Sequence, residues 1–282
     1  MAISLDNILL LDTLGIFQKE KLNIVDIGSS NLQWAKAEKL IPLIRKYNRE
    51  IDDGKLESVA RRLEAGSGYS PETGGGNQAW AGEVFELCGM HYTAFDISEM
   101  YKVRLFDLNS QNVTRAECGS ADVVLNFGTT EHVFNQLNAF TVIHDLCSKD
   151  GFIVHLLPCS GYCDHGFFQY TGRFFYELAG ANEYEIIHSS YTEPMEFDLY
   201  ASSKQYANIF HKLECYVDIP SIMIPSYCQF LILKKIHDKP FSVSLETSTT
   251  VNKDIAFNPI ENFATHATTR LRSLLGFLGK RK

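Results

Sequence analysis

Asn23-Ile24-Val25-Asp26-Ile27-Gly28-Ser29-Ser30 is a short apolar run, rich in β-branched residues, that closes on an acid and then a glycine. Such a run reads as a buried strand that stops where backbone must come close to something else. In an open α/β sheet, ligands lie beyond the carboxyl ends of the strands where the winding reverses, and the loop after the first strand usually lies there. Asp26, Gly28 and Ser30 are therefore candidate ligand-binding residues. The alternative is that they only turn the chain into its next element.

Outward from this strand the pattern alternates. Residues Ser4 to Lys21 mix apolar and polar positions in the manner of a helix leading into the strand. Beyond it, Trp34 to Tyr47 and Leu56 to Leu63 show helical spacing, joined near Asp52-Asp53-Gly54. A glycine-rich segment, Gly66 to Gly76, then leads to Asn77, a candidate cap for a helix over Gln78 to Cys88. Tyr92 to Asp96 and Val103 to Asp107 repeat the motif of an apolar run closed by aspartate. Strand Asp122 to Phe127 is followed by Gly128, a helix from about Glu131 to Cys147, a Lys149-Asp150-Gly151 turn and strand Phe152 to Leu157. A helix over Phe174 to Ala179 and strands over Tyr184 to Ser189 and Cys228 to Ile236 complete the periodic part. Segment Glu193 to Pro225 gives no clear assignment. Strands alternating with helices predict a doubly wound, mostly parallel α/β sheet.

Composition limits the function. With 282 residues, 45% of them hydrophobic, the chain can build one large core, and a net charge of -8 argues against a nucleic-acid partner. The start, Met1 to Leu11, lacks the basic flank and cleavage pattern of a signal peptide, and no apolar run reaches membrane-spanning length. Seven scattered cysteines suit reduced thiols. The expected location is the cytoplasm. The basic C-terminal end places Leu271, Leu274, Leu275 and Leu278 on one helical face, which suits a membrane surface or partner, a docking helix or a frayed tail.

Over roughly Asn23 to Ile236, the order of features resembles the class I S-adenosylmethionine-dependent methyltransferases. The matching residues are Val25-Asp26-Ile27-Gly28, Asp96, Asp107, Val123-Val124-Leu125-Asn126-Phe127 with Glu131-His132-Val133, and the Lys149-Asp150-Gly151 turn. The resemblance implies a Rossmann-like domain over residues 1–236, with S-adenosylmethionine as cofactor and a small molecule as acceptor. In that family the first loop meets the methionine end of the cofactor, the acid after strand two holds the ribose hydroxyls and the acid after strand three meets the adenine. Carried over, these roles fall to Gly28, Asp96 and Asp107. Asp26, Ser30, Ile97, Leu108, Asn126 and Gly128, beside them, complete the expected cofactor set. A carboxylate can accept bonds from two vicinal hydroxyls, so Asp96 suits a ribose independently of the resemblance. A turn or cap role is open for Asp96 and for Asp107.

The sequence departs from the family at the first loop. Ser30 and Asn31 stand where a second glycine is expected, and Asp96 lies far beyond the ~20 residues that usually separate such an acid from the glycine loop. Residues Gln33 to Thr73 therefore read as a helical insertion, placed as a lid over the site. Residues 237–282 read as a C-terminal extension. The compact glycine turn that a pyrophosphate needs is missing, which makes a nicotinamide-dependent oxidoreductase a minor alternative. A non-catalytic binding member of the same fold is the other alternative.

For transfer to an oxygen or nitrogen acceptor, possibly sugar-like, the loop Pro158 to Tyr170 is the expected acceptor site. Tyr162, Asp164 and Tyr170 are its candidate substrate contacts, and it resembles the loop where family members often form that pocket. His165 is the first candidate for the base that takes the acceptor's proton, and His132 the second. His155, Cys159, Cys163 and His165 gather soft ligand types, but in no ribbon or finger spacing, so no metal site is expected.

Overall fold

The computed structural model describes residues 2–19, 21–68, 78–162, 165–192, 195–198 and 223–251. Strand β1 (Ala2–Ser4) runs straight into helix α1 (Leu5–Thr13), where the Ser4 hydroxyl accepts the Asn7 N–H as an N-cap. The first central strand, β2 (Asn23–Ile27), precedes a short β3 (Asn31–Gln33), which pairs in parallel with β1. Helices α2 (Ala37–Tyr47), α3 (Asp53–Gly66) and α4 (Ala81–Leu87) follow, then strands β4 (His91–Asp96), β5 (Val103–Leu105) and β6 (Ala121–Phe127). The rest comprises α5 (Gln136–Leu146), β7 (Cys147–Ser160), α6 (Gly172–Ala181), β8 (Glu185–Tyr191), β9 (Met195–Asp198), β10 (Met223–Lys234) and a helical turn, Ser248–Val251.

The main sheet has the order β5-β4-β2-β6-β7-β10-β8, and β9 pairs with the start of β10. From β5 to β7 neighbouring strands are parallel, whereas β10 lies antiparallel between β7 and β8. This is the doubly wound, mostly parallel α/β sheet expected from the alternation of elements, and it agrees with the Rossmann-like fold that the resemblance implies. Strand β2 has β4 on one side and β6 on the other, so the winding reverses at β2, and the loop after Ile27 opens at the switch point.

Alternate residues of β2 serve opposite faces. Ile24 packs with α1 to α4, in a cluster that includes Leu5, Leu11, Leu40, Ile44, Leu63 and Phe85, while Val25 and Ile27 pack with α5 and α6. The start of α4 is tied to the first loop by the Ala81 N–H, which donates to the Ser30 carbonyl at 3.0 Å, and the described part of the 33–73 segment closes on itself, since Trp34 N–H donates to the Ser67 carbonyl at 3.2 Å. Its two helices bury Leu40, Leu43, Leu56 and Ala60, so they are part of the core.

Several boundaries differ from the sequence reading. The helix after β6 does not begin at Glu131: residues Thr130–His132 form a 3-10 turn, and α5 starts afresh after Asn135, whose side chain accepts the Asn138 N–H. Lys149-Asp150-Gly151 does not precede a strand but bulges within β7. Residues Cys147 and Phe152 face Ala121 and Val123, only two apart on β6, and Asp150 takes φ +64 while its N–H donates to the Lys235 carbonyl. Strand β5 ends at Leu105, before Asp107. The glycine run 74–76, the Asn77 cap and the basic end 271–282 lie outside the described residues.

Helix α4 lies so close to the sheet that a Cβ at Gly82 would stand 2.3 Å from a Tyr92 ring carbon. Overpacking of this kind costs about 1–3 kcal/mol, against the roughly 1 kcal/mol that alanine gains over glycine in a helix. Tyr92 is buried and held by a hydrogen bond to Asp26, so it cannot swing aside cheaply. Gly82→Ala should therefore lose on the order of 1–2 kcal/mol in urea unfolding, where a gain in stability would show that α4 can move away from β4.

Candidate active site

The first loop turns at Gly28, whose φ of +89 is a conformation that a side chain would strain. Its N–H donates to the Phe95 carbonyl at 2.8 Å, and the Thr129 hydroxyl donates to the Ile27 carbonyl. The ends of β2, β4 and β6 are thus tied at one edge. Asp26 sits beneath the loop, fully buried. Its Oδ2 accepts the Ser30 N–H at 3.0 Å and the Tyr92 hydroxyl at 2.8 Å, while its Oδ1 has no partner among the described residues. Burial raises the Asp26 carboxyl from 3.8 to about 7, against the opposing pull of those two bonds. Asp26 therefore props the loop from below.

Asp96 ends β4 beside this loop. Its Oδ2 accepts the Ser29 N–H at 3.2 Å and its Oδ1 the Ser98 N–H at 3.0 Å. A carboxylate offers about four acceptor positions, so two bonds leave capacity for a pair of hydroxyls. Ile97, next to it, is 74% exposed and offers an apolar surface at the same edge.

Asp107 is different. Its Oδ1 accepts the Asn109 N–H at 2.8 Å and its Oδ2 the Ser110 hydroxyl at 2.7 Å, an Asx-type turn that also holds its carboxyl below the usual range. Leu108, beside it, is buried against α5 residues. Asn126 is buried at the end of β6, where its Nδ2 meets Thr130 Oγ1 at 3.0 Å and His155 Nδ1 at 3.1 Å. Gly128 N–H donates to the Leu156 carbonyl at 3.1 Å. These two residues shape the β6 loop. Burial pushes His155 down to about 3, so it is a neutral interior side chain within β7, away from any surface set of soft ligands.

The β6 and β7 loops meet at Glu131. Its backbone carbonyl accepts the Phe167 N–H at 2.7 Å and the Phe168 N–H at 3.2 Å, and a Cβ at Gly166 would stand 2.9 Å from that same oxygen. Only glycine permits this approach. The contact brings together two histidines that lie 33 positions apart in sequence: the His132 and His165 rings cross edge to face at 4.8 Å, and their Nε2 atoms stand 3.9 and 3.7 Å from Glu131 Oε1. Both imidazoles are about half exposed, whereas the Glu131 side chain is buried and its Oε2 has no hydrogen-bond partner among the described residues. Desolvation lowers His132, Glu131 opposes this, and His165 adds to it.

Glu131 was present in the sequence motif but was not singled out as a functional group. The only signal was its place directly after the β6 loop and before a candidate histidine. Tyr162 lies against His165, ring centroids 5.6 Å apart. Tyr170 instead packs into the core among Phe140, Phe174 and Phe175, and its hydroxyl donates to Gln136 Oε1 at 2.6 Å. Asp164 and Cys163 lie outside the described residues. Phe134 and Phe167, both largely exposed, meet edge to face at 6.1 Å and extend an apolar shelf beside the histidines.

A family model described as a methyltransferase domain matches residues 43–216, well over half of the chain. The chain belongs to that family. It is an enzyme that transfers a methyl group, and its cofactor is S-adenosylmethionine. The match begins within α2, beyond the altered first loop.

Among solved structures, a proposed methyltransferase of Bacillus halodurans C-125 shares 9% identity at a TM-score of 0.45, covering 80% of this chain and 99% of its own. An S-adenosylmethionine-dependent methyltransferase of Archaeoglobus fulgidus shares 11% at 0.39, covering 81% and 92%. The YcgJ protein of Bacillus subtilis shares 10% at 0.39, covering 81% and 97%. No curated protein matches the chain. Among the described residues, no helix is long and apolar enough to cross a membrane.

Of the residues at this edge, Asp96 fits the cofactor, since its two bonds leave acceptor capacity for a pair of vicinal hydroxyls.

The raised Asp26 carboxyl gives a pH signature. The folded state keeps a proton that the unfolded state releases near 3.8, so this contribution to stability is full below about pH 4 and is lost as pH rises through about 7. The loss is on the order of 4 kcal/mol. Asp26→Asn, which stays neutral and keeps an acceptor for Ser30, should match the wild type near pH 4 and exceed it near pH 8 in urea unfolding. Parallel stability curves for the two proteins would place the Asp26 carboxyl in its ordinary range.

Proposed function

We propose that this methyltransferase acts on an oxygen or nitrogen of a small molecule seated at the carboxyl ends of β6 and β7, with Asp96 binding the cofactor ribose. The observation that carries the reading is the meeting of Glu131, His132 and His165 beside an exposed aromatic shelf. Bound cofactor supplies an activated methyl group on a sulfonium centre.

The chain's own residues then have three tasks. Phe134 and Phe167 take the apolar body of the acceptor, and Tyr162 borders it. His165 takes the proton that a hydroxyl must lose. With Nε2 turned toward Glu131, Nδ1 is the receiving atom, and the Glu131 carboxyl 3.7 Å away stabilises the charge that the ring acquires. His132 stands across the same carboxyl and is the second candidate. Holding the acceptor oxygen in line with the methyl group supplies much of the rate. The segment 33–73, which leaves the chain directly after the first loop, covers the cofactor edge and helps to exclude water.

Two measurements test this reading. Asp96→Ala should remain folded and bind S-adenosylmethionine more weakly by about 1.5–3 kcal/mol in calorimetry. Unchanged affinity would remove Asp96 from the cofactor site. Turnover is then followed with isotopically labelled cofactor on a panel of hydroxyl- and amine-bearing small molecules. His165→Gln should lower kcat by roughly 100-fold while cofactor affinity is retained. Near-normal turnover across the pH range would take the base role away from His165.

A further inference from the structure

The Glu131 carboxyl is in an unusual position for a group that only orients a base. It is buried, its Oε2 accepts no hydrogen bond among the described residues, and Oε1 stands beyond hydrogen-bond length from both imidazoles. A buried polar atom without a partner is costly, and such an atom in a native fold calls for an explanation. Here three ligating atoms, one carboxylate oxygen and two imidazole nitrogens, all lie within 4.8 Å of one another.

We propose that Glu131, His132 and His165 bind one divalent transition-metal ion. Two imidazoles and a carboxylate are a ligand set that suits zinc or iron(II) better than magnesium or calcium. Ligands about 2.1 Å from a tetrahedral ion lie ~3.4 Å apart, so the set has to contract by roughly 1 Å. The histidines supply that movement, being half exposed, while buried Glu131 stays fixed by the Phe167 and Phe168 N–H groups on its backbone carbonyl. The exposed side of the set leaves coordination positions open to solvent and to an acceptor oxygen.

This assignment rests on the same three side chains as the acceptor reading, but it changes what they do. An imidazole that gives its Nε2 lone pair to an ion carries its proton on Nδ1 and no longer acts as a base there. The ion then lowers the hydroxyl's pKa, and the proton leaves to solvent water on the exposed side of the set before the oxygen takes the methyl group. Methyl transfer from the cofactor is unaffected by which of the two groups serves.

Metal-free protein titrated with Co²⁺ and followed by visible absorption gives a readout that is independent of turnover. The wild type should bind one Co²⁺ per chain, displaceable by Zn²⁺. Glu131→Gln, His132→Ala and His165→Ala should each weaken binding by at least ~10-fold, since even residues that only support a ligand cost that much. Circular dichroism checks that each variant is folded, and the two exposed histidine variants keep the test valid if Glu131→Gln unfolds. Absence of saturable Co²⁺ bands, or bands unchanged in both histidine variants, overturns the proposal. A chain that binds no Co²⁺ but loses turnover with His165→Gln keeps the base reading and rejects the ion.

Discussion

The Asp26 carboxyl, sealed between β2 and α4, is the constraint on which the ligand edge depends. It has no solvent to bond with, so its Oδ2 gathers the Ser30 N–H and the Tyr92 hydroxyl. Those two bonds set the height of the first loop and lock a tyrosine of the neighbouring strand beneath it. From that fixed point the loop reaches sideways to Asp96 through the Ser29 N–H, and Thr129 ties the β6 loop back to Ile27. This half of the edge is therefore held by backbone donors aimed at the carboxyl groups of Asp26 and Asp96, with little freedom left in the chain. A loop without a second glycine after Gly28 keeps its shape in this way.

The half at the ends of β6 and β7 is built by a different device. No strand carries the histidines into place. Gly166 lets the β7 loop press against the Glu131 backbone, and two N–H groups of that loop fasten onto one carbonyl. The Glu131, His132 and His165 side chains thus sit outside the strands, while the bonds that position them are main-chain bonds. Substitutions of the exposed Phe134 and Phe167 side chains leave these main-chain bonds in place.

Much of the fold was legible because it obeys short-range rules. Strand β2, the acids closing β4 and the helical spacing of α2 and α3 are written in neighbouring residues. What failed was also local in origin: the Lys149-Asp150-Gly151 turn has good turn chemistry, but its strand continues through it because Asp150 finds a partner in Lys235, far along the chain. Tyr170 reads as a loop aromatic, and only the packing of α5 and α6 shows that it belongs to the core. Glu131 eluded the sequence reading for a related reason. Nothing in Gly128-Thr129-Thr130-Glu131-His132 states that the glutamate is buried, since that depends on a loop more than thirty residues later.

The antiparallel strand β10 carries a consequence for how the protein is made. It supplies the seam between β7 and β8, yet it is synthesised after both. While the chain is still on the ribosome, β7 has a partner only on its β6 side and β8 has none in the main sheet, so both expose rows of unpaired N–H and C=O groups. Phe230, Leu231, Ile232 and Leu233, all buried in the finished protein, must then enter an existing slot between two strands. Closure late in synthesis, through contacts distant in sequence, makes this half of the sheet the slow and aggregation-exposed stage of its birth.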